Sequence, residues 1–325
     1  MADVLPIPLA YNTAYLWEGG GARILVDTGP DFDGAWEILR KALGGRLPDL
    51  VVATHGHLDH CGLGHRWQEL GVPVAIGAAD RRLALEPQFS SDGEFQAFCG
   101  YVRASRAPAD LESEAISALE AARDRALAQA GDGYRPAGPG GRYPTALRLE
   151  TFEPQRVIEG DEQLQGGLMA LSAPGHTRGN LVLWDPAEHW LFSGDQLLED
   201  MTPTPGIQWI PAPERTGRDG AQGWRFRSLP AFRTALERIA GLEAQRCFPG
   251  HGVPFGNVPG VVAANLTQID GRTARVAAAR GGAGSLFRLC EQLYPRATKR
   301  RLWQIMATVQ GHLDILDAGA GPSFC

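Results

Sequence analysis

The chain has 325 residues, 44% of them hydrophobic and 21% charged, and a formal net charge of −6. This composition is ordinary for a soluble globular protein, and the length suits one large α/β domain, or one domain plus a small appendage. It gives no reason to expect nucleic acid or an anionic membrane as the main partner. Five scattered cysteines without C-x-x-C spacing favour reduced thiols in a cytoplasmic protein, and neither a secretion signal nor a membrane-spanning apolar run is visible.

The first predicted element is a β-hairpin. Apolar runs at residues 13–17 and 23–26 flank three consecutive glycines, which supply the positive φ angles of a tight turn. The hairpin ends at Asp27, which is either a turn residue or a hydrogen-bond acceptor that orients a metal-bound histidine. An amphipathic helix is predicted over residues 33–43, and a buried strand over residues 50–53.

A cluster of polar side chains follows that strand directly, in the segment THGHLDH at residues 54–60. Residues two apart on extended backbone project to the same side, so His55 and His57 can converge on one point. Asp59 then lies where a helix over residues 60–70 is predicted to begin, and His60 is turned toward a neighbouring point. Imidazole nitrogen and carboxylate oxygen are ligands that zinc accepts when no thiolate is offered, so the segment predicts a metal site.

The alternation of strands and helices stops between residues 79 and 154. A long helix is predicted over residues 110–130, with Asp110 as its N-cap, followed by a Gly/Pro-rich loop at residues 131–144. We interpret this stretch as an inserted helical cap that shapes the substrate pocket. Candidate pocket side chains, for each of which a packing or surface role is nevertheless favoured, are Tyr101, Arg103, Arg106, Tyr134 and Tyr143.

Strands resume after residue 157, and three of them end in a glycine followed by a potential metal ligand. These ligands are His176, Asp195 and His251. Open α/β sheets bind ligands at the carboxyl ends of their strands, and every candidate falls at such an end. The remaining histidines, His65, His189 and His312, are interpreted as surface or structural residues.

These motifs, taken in order, resemble the metallo-β-lactamase superfamily. They are VDTG at residues 26–29, the THGHLDH segment, PGH at 174–176, SGD at 193–195 and PGH at 249–251. The resemblance implies a four-layer αββα sandwich with two metals in a cleft between the sheets. It implies that His55, His57 and His176 hold the first metal. It also implies that Asp59, His60 and His251 hold the second, with Asp195 bridging the two.

The chemistry of these residues points the same way. Three protein ligands and a shared carboxylate leave each ion open positions for water and substrate, as a catalytic zinc site requires. Two neighbouring ions can share a hydroxide and stabilise the oxyanion that forms on attack. Asp59 can also orient that hydroxide, which makes it the candidate catalytic residue. The expected cofactors are two Zn²⁺ per chain, although Fe or Mn could occupy the same ligands.

The bridging Asp195 resembles glyoxalase-II-like thioesterases, lactonases and phosphodiesterases more than antibiotic-hydrolysing enzymes. The run FSGDQLL at residues 192–198 resembles hydroxyacylglutathione-hydrolase-like proteins. The leading hypothesis is therefore a dinuclear zinc hydrolase that acts on a thioester, lactone or related carboxyl derivative of a small metabolite. The alternative is a phosphodiesterase or ribonuclease. β-Lactam hydrolysis ranks lower, and a non-enzymatic binding module is disfavoured because it has no need for seven ligands.

The predicted catalytic domain covers residues 1–258, with the helical insertion at about 79–154, and residues 259–325 form a small C-terminal helical segment. This segment resembles the winged-helix-like appendage of some relatives. Between Arg272 and Arg301 it carries eight basic residues and one acid, Glu291. A solvated face, a homodimer contact or a lid over the cleft is favoured over nucleic-acid binding. No pattern identifies the substrate-binding residues or the substrate itself.

Overall fold

The computed structural model describes residues 2–10, 12–86, 92–128, 147–148, 150–203, 206–209 and 225–318, with residues 125–128 described by their backbone alone. Two β-sheets form the centre of the fold, and helices cover both of their outer faces. The architecture is thus the expected four-layer αββα sandwich. Among the described helices, none is long and apolar enough to cross a membrane.

The first sheet contains six strands in chain order. The first three pair antiparallel and the rest pair parallel. In the predicted hairpin, Gly19 pairs with Ala22, so Gly20 and Gly21 alone form the turn, and both have positive φ. The strands are β1 (Asp3–Pro8), β2 (Thr13–Gly19), β3 (Ala22–Val26), β4 (Leu50–Val52), β5 (Val74–Gly77) and β6 (Arg156–Ile158).

The second sheet contains five strands in the order β13-β10-β9-β8-β7. Only the β10–β13 pair is parallel, and a register shift between Phe192 and Gly194 bends β10 just before Asp195. A separate two-stranded ribbon, β11 (Gln208–Trp209) with β12 (Arg225–Phe226), lies outside both sheets. The strands of the second sheet are β7 (Glu162–Gln163), β8 (Met169–Ser172), β9 (Leu181–Asp185), β10 (Trp190–Gly194) and β13 (Arg246–Pro249).

Strand periodicity explains how the layers form. Successive side chains of a strand point to opposite faces. In β4, Leu50 and Val52 face the space between the sheets, whereas Val51 faces the outer helices. The inner layer joins Tyr15 of the first sheet to Phe192 and Phe248 of the second, with ring centroids 5.0–5.9 Å apart. The Tyr15 hydroxyl also donates to the Pro249 carbonyl at 2.7 Å, which ties the two sheets together beside His251.

Helices of the sandwich cover its two outer faces. The first sheet packs on α1 (Ala35–Ala42) and α3 (Gly64–Glu69), and the second packs on α7 (Ser228–Ala240) and the start of α8 (Val258–Ala283). The single helix predicted over residues 60–70 is instead two short helices, α2 (Leu58–Cys61) and α3. The break occurs because the Leu63 N–H donates to Gly29 and Thr28, at 3.0 and 3.1 Å, rather than continuing the helix of α2.

The insertion and the C-terminal segment share one hydrophobic cluster. Phe95, Phe98 and Val102 of the insertion pack with Phe287 and Met306 of the C-terminal segment, all buried. Asp110 lies in the first turn of α6 rather than at its N-cap, because the helix begins at Ala109. The helices of the insertion and the C-terminal segment, together called the helical layer, are α4 (Arg81–Leu85), α5 (Asp92–Ala104), α6 (Ala109–Ala128), α8, α9 (Leu286–Leu293), α10 (Pro295–Thr298) and α11 (Leu302–Asp317).

The described part of the C-terminal segment, residues 258–318, consists of helices and short connecting turns, so the strands of a winged helix do not occur in it. Helix α8 begins at Val258 and runs from the sandwich into the helical layer. The Gly/Pro-rich loop predicted at residues 131–144 lies outside the described residues.

Candidate metal centre

The strand ends meet at one edge of the sandwich, as the sequence predicts. His55 and His57 follow β4, His176 follows β8, Asp195 follows β10 and His251 follows β13. The structure brings together all seven side chains predicted as metal ligands, which also include Asp59 and His60 of α2.

The first group of donor atoms consists of three imidazole nitrogens. His57 Nδ1 lies 2.9 Å from His55 Nε2 and 3.1 Å from His176 Nε2. His55 is fully buried, while the other two are half-buried and line a cleft in the surface. The Thr54 hydroxyl lies 3.1 Å from His55 Nδ1 and donates its own proton to Asp27, so it can accept from Nδ1–H and leave Nε2 unprotonated toward the group.

The second group consists of a carboxylate and two imidazoles. Asp59 Oδ2 lies 3.6 Å from His60 Nε2 and 3.3 Å from His251 Nε2, and the two imidazole nitrogens are 3.4 Å apart. Asp195 faces both groups. Its Oδ1 lies 3.4 Å from His60 Nε2 and 3.3 Å from His251 Nε2, whereas its Oδ2 lies 3.5 Å from His176 Nε2.

The chemistry and spacing of the donor atoms around Asp59 and Asp195 fit divalent metal binding. A tetrahedral ion with bonds of about 2.0–2.1 Å holds its ligand atoms roughly 3.3–3.4 Å apart. The contacts of 3.3–3.6 Å around Asp59 and Asp195 match this spacing. Asp195 Oδ1 is also buried without a hydrogen-bond partner among the described residues, which is unfavourable unless a cation satisfies it.

The backbone at two glycines lies very close to the side chains of the centre and of Thr54. A Cβ atom on Gly250 would lie 2.6 Å from the His60 ring and 2.8 Å from Asp195 Oδ1. Gly194 has a φ of +50°, and a Cβ there would lie 2.5 Å from the Thr54 hydroxyl. At both positions, the absence of a side chain lets the backbone approach these neighbours closely.

The two groups of donors differ in their pKa shifts, which are caused by burial and by the charges of neighbouring donors. Burial, reinforced by the neighbouring histidines, lowers the pKa of His55 well below its ordinary value and that of His176 to about 3, so both are neutral imidazoles with lone pairs free for a metal. Burial opposes the charge on His251 too, but the carboxylates of Asp195 and Asp59, each 3.3 Å from its Nε2, outweigh it and raise its pKa to about 9. Burial also disfavours the charge of Asp59, yet His60 and His251 lower its pKa to about 2. The second group thus attracts positive charge strongly.

Asp27 lies behind His60, in the position expected of an orienting acceptor. Its Oδ2 accepts from His60 Nδ1 at 2.7 Å, which turns Nε2 toward the second group. Its Oδ1 accepts from the backbone N–H and the hydroxyl of Thr54 at 2.7 and 2.8 Å. Asp27 has a φ of +68°, a left-handed conformation that its short polar side chain tolerates better than most.

Asp80 plays a comparable structural part that the sequence analysis missed. Its buried carboxylate accepts from the backbone N–H of Gly56 at 2.9 Å, the Thr177 hydroxyl at 2.5 Å and the Gly179 N–H at 2.7 Å. Burial raises its pKa, although these hydrogen bonds oppose the shift. It joins the loop of His55 and His57 to the loop of His176. Asp80 could have been found from the sequence, because it follows β5, the parallel neighbour of the strand β4 that leads to His55 and His57.

A cleft with a cavity volume of about 280 Å³ opens beside the first group. Its lining combines His57 and His176 with apolar side chains from the helical layer, the ribbon and the loop before it, namely Leu83, Phe98, Ile207, Trp209 and Trp303. The polar lining residues include Asp80, Thr177 and Gln208. The centre is therefore open on the side that the insertion and the C-terminal segment cover.

The predicted pocket residues of the insertion do not line this cleft. Tyr101 and Arg106 line a different cavity of about 110 Å³ between α5 and α9, and Arg103 is exposed. Tyr101 packs inward because α11 lies over α5, and its hydroxyl donates to Gln310 at 3.2 Å. Tyr101 thus has a packing role and Arg103 and Arg106 are exposed, which are the roles favoured for them, and Tyr134 and Tyr143 lie outside the described residues.

The three remaining histidines lie outside the seven-residue centre, as predicted. His65 is nevertheless buried rather than on the surface, with Nδ1 3.2 Å from the Gly62 carbonyl and Nε2 3.4 Å from Glu150. His189 packs against Trp184, and His312 lies 2.8 Å from the Thr273 hydroxyl. Cys61 is buried in α2, which agrees with a packing role.

Comparison with known proteins reveals a matching family. The family described as "Metallo-beta-lactamase superfamily" matches residues 7–251. A relative from Bacillus subtilis, named "Probable metallo-hydrolase YqjP", is 26% identical over 321 residues, which cover 97% of this chain and 91% of the relative. The Gallus gallus protein named "Acyl-coenzyme A thioesterase MBLAC2" is 26% identical over 261 residues, 75% of this chain and 74% of that protein.

Solved structures share the fold along nearly the whole chain. The metallo-beta-lactamase family protein TTHA1429 from Thermus thermophilus superimposes with a TM-score of 0.65 at 22% identity, covering 98% of this chain and 93% of that one. A beta-lactamase domain protein from Burkholderia ambifaria gives a TM-score of 0.61 at 18% identity, with coverage of 98% and 87%. At these identities the likeness concerns the fold alone.

Proposed function

The chain belongs to the metallo-β-lactamase superfamily and is a metal-dependent hydrolase, and from this premise we propose that it holds two zinc ions and hydrolyses a thioester or a related carboxyl derivative, such as a lactone, of a small metabolite. The observation that carries the proposal is the pair of three-atom donor groups that Asp195 faces with one oxygen each. A site for one ion would not need both groups.

In this proposal the two groups divide the ligands as their positions suggest. The first ion is held by His55, His57 and His176, and the second by Asp59, His60 and His251, with Asp195 shared between them. Zinc is proposed because the donors are imidazole nitrogen and carboxylate oxygen with no thiolate. Iron or manganese would accept the same donors.

When bound, the ions supply an activated water and polarise the scissile carbonyl. The other contributions come from the chain. Asp59 is ionised near neutral pH, because His60 and His251 hold its pKa at about 2 despite its burial. With Oδ2 facing the second group, its Oδ1 can accept a hydrogen bond from the attacking water and orient it. Asp27 and Asp80 position the ligand loops through their hydrogen bonds to His60, Gly56 and Thr177.

The thioester class is supported by two independent features. The cleft presents an apolar wall of Phe98, Ile207, Trp209 and Trp303 beside His57, which suits an acyl chain next to a polar reaction centre. Two relatives carry the name of acyl-coenzyme A thioesterase, the second being the Homo sapiens protein at 23% identity over 264 residues.

The test is metal content together with hydrolysis by purified protein. We expect about two zinc ions per chain. We also expect hydrolysis of acyl thioesters that stops on chelation and returns with zinc. Protein that holds both ions but hydrolyses no thioester, lactone or ester would overturn the substrate class and leave the metal centre standing. Protein that remains fully active after chelation removes all metal would overturn the mechanism itself.

Phosphodiester or RNA hydrolysis is the second candidate, because the exposed basic residues Lys299, Arg300 and Arg301 lie close to the cleft. Phosphate contacts make binding salt-dependent. RNA binding that weakens with salt and on neutralising these residues, together with metal-dependent cleavage, would favour this candidate over the thioesterase.

A further inference from the structure

A second cavity, of about 140 Å³, adjoins the cleft of the metal centre. It lies between α6 and the turn that leads from α10 into α11. Trp303 lines both cavities, so its indole forms a wall shared by the cleft beside His57 and this neighbouring space. A substrate that extends past Trp303 would therefore have its reacting end in the cleft and its far end in the second cavity.

The charge of this second cavity is strongly positive. Its lining includes Lys299, Arg300 and Arg301 against a single carboxylate, Glu114. All three cations are exposed, and no carboxylate of the described residues lies within ion-pair distance of them, whereas Arg288 of α9 pairs with Glu291 at 2.7 Å. Three adjacent like charges repel one another, and a bound anion relieves that repulsion.

The start of α11 strengthens the same field. This 16-residue helix has no acidic residue in its first turn and no side-chain cap, and the residues of that turn line the cavity. The positive end of the helix dipole therefore adds to the charges of the three basic side chains. Glu114 is exposed on α6 and offsets only one of these charges.

We infer that this cavity is an anion subsite for the phosphate groups of a thioester substrate whose thiol is of the coenzyme A type. The inference rests on the proposed thioesterase function and extends it from the acyl group to the leaving thiol. Arginine presents a planar fork of N–H donors that matches phosphate oxygens, and lysine adds a mobile point charge. The acyl end lies in the cleft beside His57 and His176, and the phosphates lie beyond Trp303.

The inference is tested by steady-state kinetics on the full-length, zinc-loaded protein with one acyl group carried by two thiols. Coenzyme A carries the phosphates, and pantetheine lacks them. The variant Arg300→Gln/Arg301→Gln removes two exposed charges of the cavity. The matched control is Arg296→Gln, an exposed arginine of α10 outside the cavity lining.

We expect the double variant to raise KM for the coenzyme A thioester about tenfold, with little change in kcat, because charge-assisted hydrogen bonds to phosphate are lost. The pantetheine thioester should be hydrolysed equally by the double variant and the wild type, which also shows that the variant is folded. Arg296→Gln should behave as wild type with both substrates. Added salt should raise KM for the coenzyme A thioester more than for the pantetheine thioester.

Two results would overturn the subsite while leaving the thioesterase intact. One is equal KM values of the wild type for both thioesters, and the other is an equal effect of the double variant on both. If no thioester is hydrolysed, the proposed function fails, and calorimetric binding of free coenzyme A then decides the subsite. Binding that the double variant loses would support the subsite. Absence of binding, or binding of RNA in its place, would overturn it.

Discussion

The edge of the sandwich and the helical layer above it are built in different ways. At the edge, His60 and Thr54 are fully buried, and each forms a short hydrogen bond to the Asp27 carboxylate. In the helical layer, Phe98 reaches the cleft from the hydrophobic cluster that α5 shares with α11, and Trp303 of α11 lines the same cleft. The nearby basic side chains are exposed. In the proposed function, the edge fixes the chemistry and the helical layer determines which substrates enter. Substitutions in the two regions should therefore have separable effects.

The largest effect is expected for Asp195→Asn, because this side chain faces both donor groups. The amide keeps the shape but removes the charge and one metal-binding oxygen. We expect kcat to fall by about three orders of magnitude, together with lower zinc content by mass spectrometry. Asp200→Asn, an exposed residue of the same loop, should change neither quantity. Full activity of Asp195→Asn would contradict the claim that the edge of the sandwich determines the chemistry.

Asp27→Asn should have a smaller effect at the same edge. Asparagine tolerates the φ of +68° and can still accept from Thr54, but it cannot supply a charged acceptor to His60. We expect zinc affinity, measured against a competing chelator, to fall about 10- to 100-fold. Unchanged affinity would show that His60 is held in place by packing alone.

A substitution in the helical layer should leave the metal untouched. Trp303→Ala removes the wall shared by the two cavities. We expect KM for thioesters to rise about tenfold at unchanged zinc content. Loss of zinc from this variant would mean that the helical layer supports the centre directly, contrary to a division between the two regions.

The smallest effect concerns stability within the helical layer. Burial, with a contribution from Arg272, lowers the pKa of His312 on α11 to about 4. The folded protein binds this proton less tightly than the unfolded chain, in which the pKa of histidine is about 6.5. The contribution of His312 to the free energy of unfolding is therefore complete above pH 6.5 and is lost as the pH falls toward 4. The free energy of unfolding of the wild type should therefore drop about 1–3 kcal/mol more than that of His312→Gln over this range.

That measurement uses denaturant titrations of both proteins at matched pH values. The difference between them isolates His312 from the metal ligands, which titrate in both. Parallel pH dependence of the two proteins would show that His312 accepts a proton without loss of packing.

The convergence of the seven candidate ligands could be predicted because the spacing of His55, His57 and Asp59 and the positions of the other four at strand or helix ends are local features of the sequence. The sandwich was implied by the family resemblance of the same motifs. Asp27 was found for the same reason as the ligands, and Asp80 could have been found by extending the same reasoning to the end of β5. The cleft wall could not be predicted, because Phe98 and Trp303 are 205 positions apart and meet only through long-range packing of α5 and α11. The partner of Tyr101 could not be predicted either, because its inward orientation depends on the same packing.

The central claim, two ions held by two donor groups with Asp195 between them, is tested most directly by X-ray absorption spectroscopy of the zinc-loaded protein. We predict nitrogen and oxygen ligands at about 2.0–2.1 Å and a zinc–zinc distance of about 3.5–4 Å. In Asp195→Asn the zinc–zinc feature should be lost or weakened. A fully active protein with one zinc per chain and no metal–metal feature would contradict the claim.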